Sequence, residues 1–350
     1  MRDLPCGGLR IYLQLDVRRI NCRRCGVKTE TLALLAKNPR YTRRFAMDVG
    51  ERCRAASIKE VALATGLHWE TVKQLEMEYM QMQLDLAGEP NPRYIGIDEI
   101  GVRKGHKYKI VVSDLEKRRA IWMGGDGRRE EDMAKFFHWL GPKKSARIRL
   151  ALMDMWKPFR NATRAFAPQA AIVFDKFHII SHLNDALDEV RRREYKRLSG
   201  EQRRYIKGQR YTLLSRKENL TLAGRTSLRL LLKNNRRLHV AYLLKEQFGQ
   251  LWDYRGEGWA RRFFDHWKAA LRWQRLAPFE KFANMIERHW DGIAAWCTQD
   301  IELPMGFVEG LNNKIRVFQR RAYGLRDAEY LRLKTLTCTL PPLPQATSPR

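Results

Sequence analysis

A mixed α/β fold is what the sequence predicts, and three observations predict it. Between residues 93 and 180 short apolar runs alternate with amphipathic segments, in the order three strands, helix, strand, helix, strand. From 178 to about 300 the pattern is almost wholly helical and strongly basic. Before residue 88 the chain reads as short helices punctuated by capping signals and a glycine turn.

Taken in order, the first 30 residues alternate in "LRIYLQLDVRRINC", a period of two that reads as a strand, and then comes "CRRCG". Cys22 and Cys25 have the spacing of one zinc knuckle. Tetrahedral zinc takes four ligands, usually from two such knuckles, and only Cys6 lies near enough to help. Residues 1–32 therefore read as a hairpin with part of a zinc ribbon. In "SIKEVALATGLHWETVKQLEMEYM", Ser57 can cap a helix with Glu60 three positions on, Gly66 permits a tight turn, and a second helix begins near Trp69. That is a helix-turn-helix pattern over 33–88. Its second helix would present His68, Trp69, Thr71, Lys73 and Gln74 to a major groove, the competing reading being a plain helical hairpin. "LAGEPNPR" marks a linker.

The strands that follow are "RYIGIDEIGV", "KYKIVVSDL" and "RRAIWMGG", then, after the helix "REEDMAKFFHWLG", "RIRLALMDM" and "AAIVFDKF", with a long helix from about Phe177. This is the order of a ribonuclease-H-like sheet covered by helices. It predicts a first part of a catalytic domain at 93–180, a basic helical insertion at 181–303, a return at 304–335 and a disordered tail at 336–350.

Charge and cysteine content narrow the function. The 350 residues carry 67 Lys and Arg against 39 Asp and Glu, a net charge of +28, which points to a polyanionic partner. Between 191 and 240 there are 16 basic and 3 acidic residues, more than a solvated helical face requires. Arg191, Arg192 and Arg193, with Lys314, Arg316, Arg320 and Arg321 near the end of the chain, are the expected phosphate contacts. Six tryptophans fall between 252 and 296; most are expected in the core, while one could stack on an unpaired base. Six scattered cysteines read as reduced thiols or metal ligands. No run is long enough to span a membrane, and a cytoplasmic, bacterial protein is expected.

Two acids stand out because they interrupt apolar runs. Asp98 ends the first strand of the sheet and Asp154 the fourth, where an unpartnered charge is costly. A third acid, Glu309, opens a helix in "PMGFVEGLNNKIRVFQRRAYGLRD". Oxygen-only ligands suit magnesium or manganese, and paired ions can assist an in-line displacement. The bland alternative is that each aspartate ends a strand and pairs with Arg or Lys. Asp175 and His178 could orient such a site through hydrogen bonds, or Asp175 could simply cap a helix. Glu99 faces the other side of its strand from Asp98 and reads as a surface or salt-bridging neighbour, to Arg103 or Lys104.

The blocks "YIGIDEIGVRKGHKY", "LALMDMWKPF", "IVFDKFHIISHLNDALDEVRR" and "GFVEGLNNKIRVFQRRAYGLRD" resemble, in order, the catalytic blocks of DDE transposases of the ISL-three type of bacterial insertion sequences. The resemblance runs from residue 1 to about 335. It implies a ribonuclease-H-like, retroviral-integrase-like domain with a helical insertion and Asp98, Asp154 and Glu309 as the ligands of Mg2+ or Mn2+. It also implies cleavage of double-stranded DNA at transposon ends, joining of the freed 3'-hydroxyl to a target, and a dimer or larger synaptic assembly. Asp175 and His178 match a D-x-x-H element of related groups. The family's ribbon carries two cysteine pairs and only Cys22 and Cys25 are present, which counts against bound zinc and reads as an N-terminally truncated copy. Two other readings remain: an inactive, transposon-derived repressor, and a nuclease that cuts without joining.

Overall fold

The computed structural model of the chain describes residues 1–103, 107–215, 217–298, 306–322 and 325–344. At the N-terminus, β1 (Arg19–Cys22) and β2 (Gly26–Thr29) form an antiparallel hairpin. The longer strand expected from the alternation does not form. Leu9, Tyr12, Leu15, Val17 and Ile20 are all exposed, so no layer beneath them rewards the period of two.

Three helices follow: α1 (Arg43–Ala55), α2 (Ile58–Thr65) and α3 (Trp69–Ala87). Local chemistry sets their ends. Thr42 caps α1, and Ser57 and Glu60 close a reciprocal capping box on α2. Gly66 takes the left-handed conformation, φ 64°, that turns the chain into α3. Phe45, Val49, Cys53, Val61, Val72 and Leu75 form their common core.

The linker after α3 is pinned, since Arg119 donates to the carbonyls of Ala87 and Gly88. A five-stranded sheet then takes the order β5 (Arg119–Gly124), β4 (Lys107–Asp114), β3 (Tyr94–Arg103), β6 (Leu150–Met153), β7 (Ala171–Phe174). The first three strands are an antiparallel meander; β6 and β7 join parallel to β3. Crossovers run through α4 (Glu130–Leu140), the short α5 (Pro142–Ser145) and α6 (Lys157–Phe166), and β7 leads into α7 (Lys176–Arg197).

The helical region comprises α8 (Gly200–Gly208), α9 (Arg210–Leu214), α10 (Leu222–Asn234), α11 (Arg236–Gly249), α12 (Glu257–Leu271), α13 (Ala277–Arg288) and α14 (Trp290–Thr298). It shares one core with the sheet: Ile95, Ile97, Met153 and Phe174 belong to the same apolar cluster as Phe248, Phe264 and Phe282. α14 returns to the sheet, where Trp296 Nε1 donates to the Phe174 carbonyl at 2.7 Å. Of the six tryptophans, Trp267 is buried, Trp252, Trp290 and Trp296 are half-buried, and Trp259 and Trp273 stand 63% and 80% exposed.

The opposite face of the sheet is covered by α15 (Phe307–Arg321) and α16 (Ala328–Thr337). α15 approaches β3 so closely that a Cβ on Gly96 would lie 2.5 Å from Val308 Cγ2. The expected disordered tail needs correction over 336–344. Leu340 and Leu343 are buried, and Arg54, Gln83 and Tyr79 bond the backbone of Leu340, Pro341 and Leu343. Residues 345–350 lie outside the described residues.

Candidate active site

Sheet register gathers the acids. Gly96 sits beside Leu152, and Leu152 beside Val173. Asp98, Asp154 and Asp175 each lie two residues beyond that row, so the pleat returns all three to one face, on adjacent strands about 4.8 Å apart. Three carboxylates in one row repel one another.

The electrostatics follow from that placement. Burial, then the charges of Asp154 and Asp175, pushes Asp98 up to about 6, against the pull of the Glu99 amide and His178. Burial also raises Asp154, which the Trp156 amide, His178, Arg128 and His182 pull back. His178 is pushed up to about 9, chiefly by its hydrogen bond to Asp175 and further by Asp98 and Asp154. It is a cation at neutral pH, and its Nδ1 lies 3.1 Å from Asp175 Oδ2. Asp175 Oδ1 accepts from the Phe177 amide at 2.8 Å, so the capping role is present, and the same carboxylate orients His178.

Glu309 enters on α15. Val308 packs at Gly96, and the side-chain amide of Asn312 donates to Asp98 Oδ2. Half-buried Glu309 lies between these two anchors along the helix. Among the described residues, no three His, Cys, Asp or Glu side chains stand at the spacing of a metal site. The donor chemistry still suits a hard divalent cation. Carboxylate oxygens line the row, and Glu99 Oε2 and Asn312 Oδ1 are buried without a hydrogen-bond partner among the described residues.

Of the two roles expected for Glu99, surface or salt-bridging, the second is present, with another partner. Alternation does put it on the side of Ile97, opposite Asp98, but its side chain is only 15% exposed and its partner is Arg128, at 2.5 Å. The expected partners fall elsewhere: the Arg103 side chain and Lys104 lie outside the described residues. Burial, then the charges of Asp154 and Asp98, pushes Glu99 up to about 7. Sequence reasoning missed Arg128 and Asn312. No local signal selects Arg128 from Arg129 in "GGDGRRE", and Asn312 meets Asp98 across 214 positions.

The candidate DNA contacts divide. His68, Trp69 and Gln74 are exposed at the start of α3 and Thr71 is half-buried, while Lys73 is paired with Asp327 at 2.5 Å. Arg192, Arg193, Lys314, Arg316 and Arg320 are exposed. Arg191 needs correction: it is 9% exposed and held by Asp188 at 2.7 Å, so it ties α7 together internally. Arg321 donates to the carbonyls of Arg54 and Ala55 at the end of α1. Cys22 and Cys25 sit together on the hairpin, with Cys6 exposed in a separate turn.

Comparison with known proteins bears on both halves of the chain. A family model described as "Transposase" matches residues 95–335, and one described as "Helix-turn-helix domain of transposase family ISL3" matches residues 30–79. The transposase for insertion sequence element IS1001 of Bordetella parapertussis is 33% identical over 338 residues, covering 95% of this chain and 82% of the relative. The transposase for insertion sequence element IS1557 of Mycobacterium tuberculosis is 28% identical over 354 residues, covering 94% of this chain and 79% of the relative.

Proposed function

The chain belongs to the ISL3 family of insertion-sequence transposases, and from that premise we propose that it binds the terminal inverted repeats of its element, cleaves DNA there and joins the freed 3'-hydroxyl to target DNA. The observation that carries this reading is the row of half-buried acids, Asp98 within β3 and Asp154 and Asp175 just past the ends of β6 and β7, set in a chain of net charge +28. The sheet order and its flanking helices support a ribonuclease-H-like fold for that centre. Asp98, Asp154 and Glu309 are the proposed ligands of magnesium or manganese. Bound there, the ion would supply Lewis-acid chemistry for an in-line phosphoryl transfer.

The chain's own residues do the rest. Asn312 fixes the rotamer of Asp98 and thereby couples α15, with Glu309, to β3. Cationic His178, oriented by Asp175, places a positive charge beside the row where a phosphate would sit. The exposed end of α3 reads the repeat, and Arg192, Arg193, Lys314, Arg316 and Arg320 draw the backbone phosphates to the sheet. Two cysteines supply half the donors of a tetrahedral zinc site, so zinc has no part in the proposal. Synapsis of two ends requires at least a dimer.

Purified protein, DNA bearing the element's own terminal repeats, and magnesium or manganese test the reading. Cleavage followed by joining is expected. Asp154→Asn should lose both while still binding the repeat, and cleavage retained by that variant would overturn the assignment. Binding without any cutting would instead make the chain a repressor, and cutting without joining a nuclease.

A further inference from the structure

Arg128 is bound on every side at the edge of the acid row. Its turn, between β5 and α4, is fastened by the amides of Asp126 and Arg129, which donate to the Asp132 carboxylate at 2.9 and 3.4 Å. Its carbonyl accepts from Trp156 Nε1 at 2.7 Å, and its guanidinium lies 4.7 Å from the Trp156 ring centre and 5.2 Å from that of Tyr108. From this bracket Nη2 reaches Glu99 Oε1 at 2.5 Å and Asp154 Oδ2 at 3.8 Å. One arginine thus partly neutralises two half-buried carboxylates that repel each other.

The ion pair is not closed. A permanent arginine–carboxylate pair favours two parallel hydrogen bonds. Here Arg128 Nε and Glu99 Oε2 are both buried atoms, and neither has a hydrogen-bond partner among the described residues. A donor and an acceptor on the two members of one pair are therefore left unmet, each at a desolvation cost of about 1–3 kcal/mol. The contact to Asp154 is looser still. An arrangement with that much unmet polarity is set up to be exchanged.

We propose that Arg128, held by Glu99, is the resident cation of the acid centre, and that Arg128 and a divalent metal ion are alternative, mutually antagonistic counter-charges of Asp154. This rests on the acid row being the metal site. Both cations answer the same negative charge, so each weakens the other by the same factor. Metal loading then loosens the Arg128 turn from Asp154 and turns a cation toward incoming phosphate.

Manganese binding to the full-length protein without DNA, followed by the electron paramagnetic resonance of free Mn2+ and by melting temperature with and without Mn2+, tests this. Arg128→Gln should bind Mn2+ about 5- to 150-fold more tightly, the range of an ordinary coupling between sites. It should melt lower than wild type in chelator, and Mn2+ should raise its melting temperature more than that of wild type. Trp156→Leu, which removes one wall of the bracket and no charge, should tighten Mn2+ in the same direction; this variant stands in if Arg128→Gln does not fold. Unchanged or weakened Mn2+ binding in the variants would overturn the proposal, leaving Arg128 a structural tie or a helper of the metal. If Asp98→Asn and Asp154→Asn bind Mn2+ as well as wild type does, it is the metal-site reading that fails.

Discussion

Two carboxylate sites in this chain, one buried and one half-buried, share one physical problem and meet it differently. Between α3 and α16, Glu76 is 2% exposed, and burial raises its proton affinity. It is met by complement: the Tyr330 hydroxyl donates to it at 2.5 Å, and Lys334, which also bonds the Cys53 carbonyl, pairs with it. At the sheet, Asp98, Glu99 and Asp154 are half-buried, but their neighbours include one another, so like charge adds to desolvation. The first site holds helices together and is complete as it stands. The second keeps an excess of carboxylates over Arg128 and His178, which the proposed metal ion would offset.

The largest expected effect tests the incomplete site. Asp154→Asn should lower DNA cleavage by about a thousandfold or more, the weight of several kcal/mol of lost transition-state stabilisation, with little loss of fold. A gel assay on terminal-repeat DNA beside a melting curve reads both. The complete site should answer in the opposite way. Lys334→Met leaves Glu76 buried and unpaired, costing about 3–5 kcal/mol of stability, measurable by urea unfolding. Adding Glu76→Gln to that variant should return much of the loss, because no charge is then stranded.

Acidity separates the sites further. Asp98 and Glu99 titrate near 6 and 7 in the folded chain, against about 4 when unfolded. The metal-free fold therefore holds protons that the unfolded chain has released. Their favourable contribution is whole below about pH 4 and falls as pH rises through 6 and 7. His178, raised to about 9, loses its contribution as pH rises through that value. Melting temperature in chelator should decline from pH 5 to 8, on the order of 1–3 kcal/mol for each carboxylate. Asp98→Asn or added Mn2+ should flatten that decline, and a slope indifferent to both would remove the charge excess from the account.

What could be read from sequence was what local chemistry decides. Ser57, Glu60 and Gly66 fix the helix-turn-helix within ten positions, and the rhythm of 93–180 reports the strands because apolar faces recur at the sheet's own period. Asp98 and Asp154 could be singled out because each breaks an apolar run, and the register sets them side by side. Partners that the fold brings together were not: Arg128 to Glu99, Asn312 to Asp98, Lys334 to Glu76. Alternation misled in two places. It suggested a long N-terminal strand where nothing packs beneath, and it allowed Glu99 a surface place although both faces of β3 are covered there and its salt bridge is to Arg128.

The smallest expected effect concerns a pair that belongs to neither site. Lys73 of α3 reaches Asp327, the cap of α16, with side chains 25% and 40% exposed, and lies 5.6 Å from the centre of the Tyr330 ring. Exposed pairs are worth about 0–1 kcal/mol, so Lys73→Ala should barely change stability. If α3 enters a DNA groove, Lys73 can leave Asp327 for a phosphate at little cost. Lys73→Ala should then reduce the salt dependence of repeat binding by about one counterion. Asp327→Asn preserves the helix cap and frees the lysine, so it should bind the repeat slightly more tightly than wild type. A salt slope unmoved by Lys73→Ala would mean that Lys73, like Glu76 nearby, serves the junction of α3 with α16.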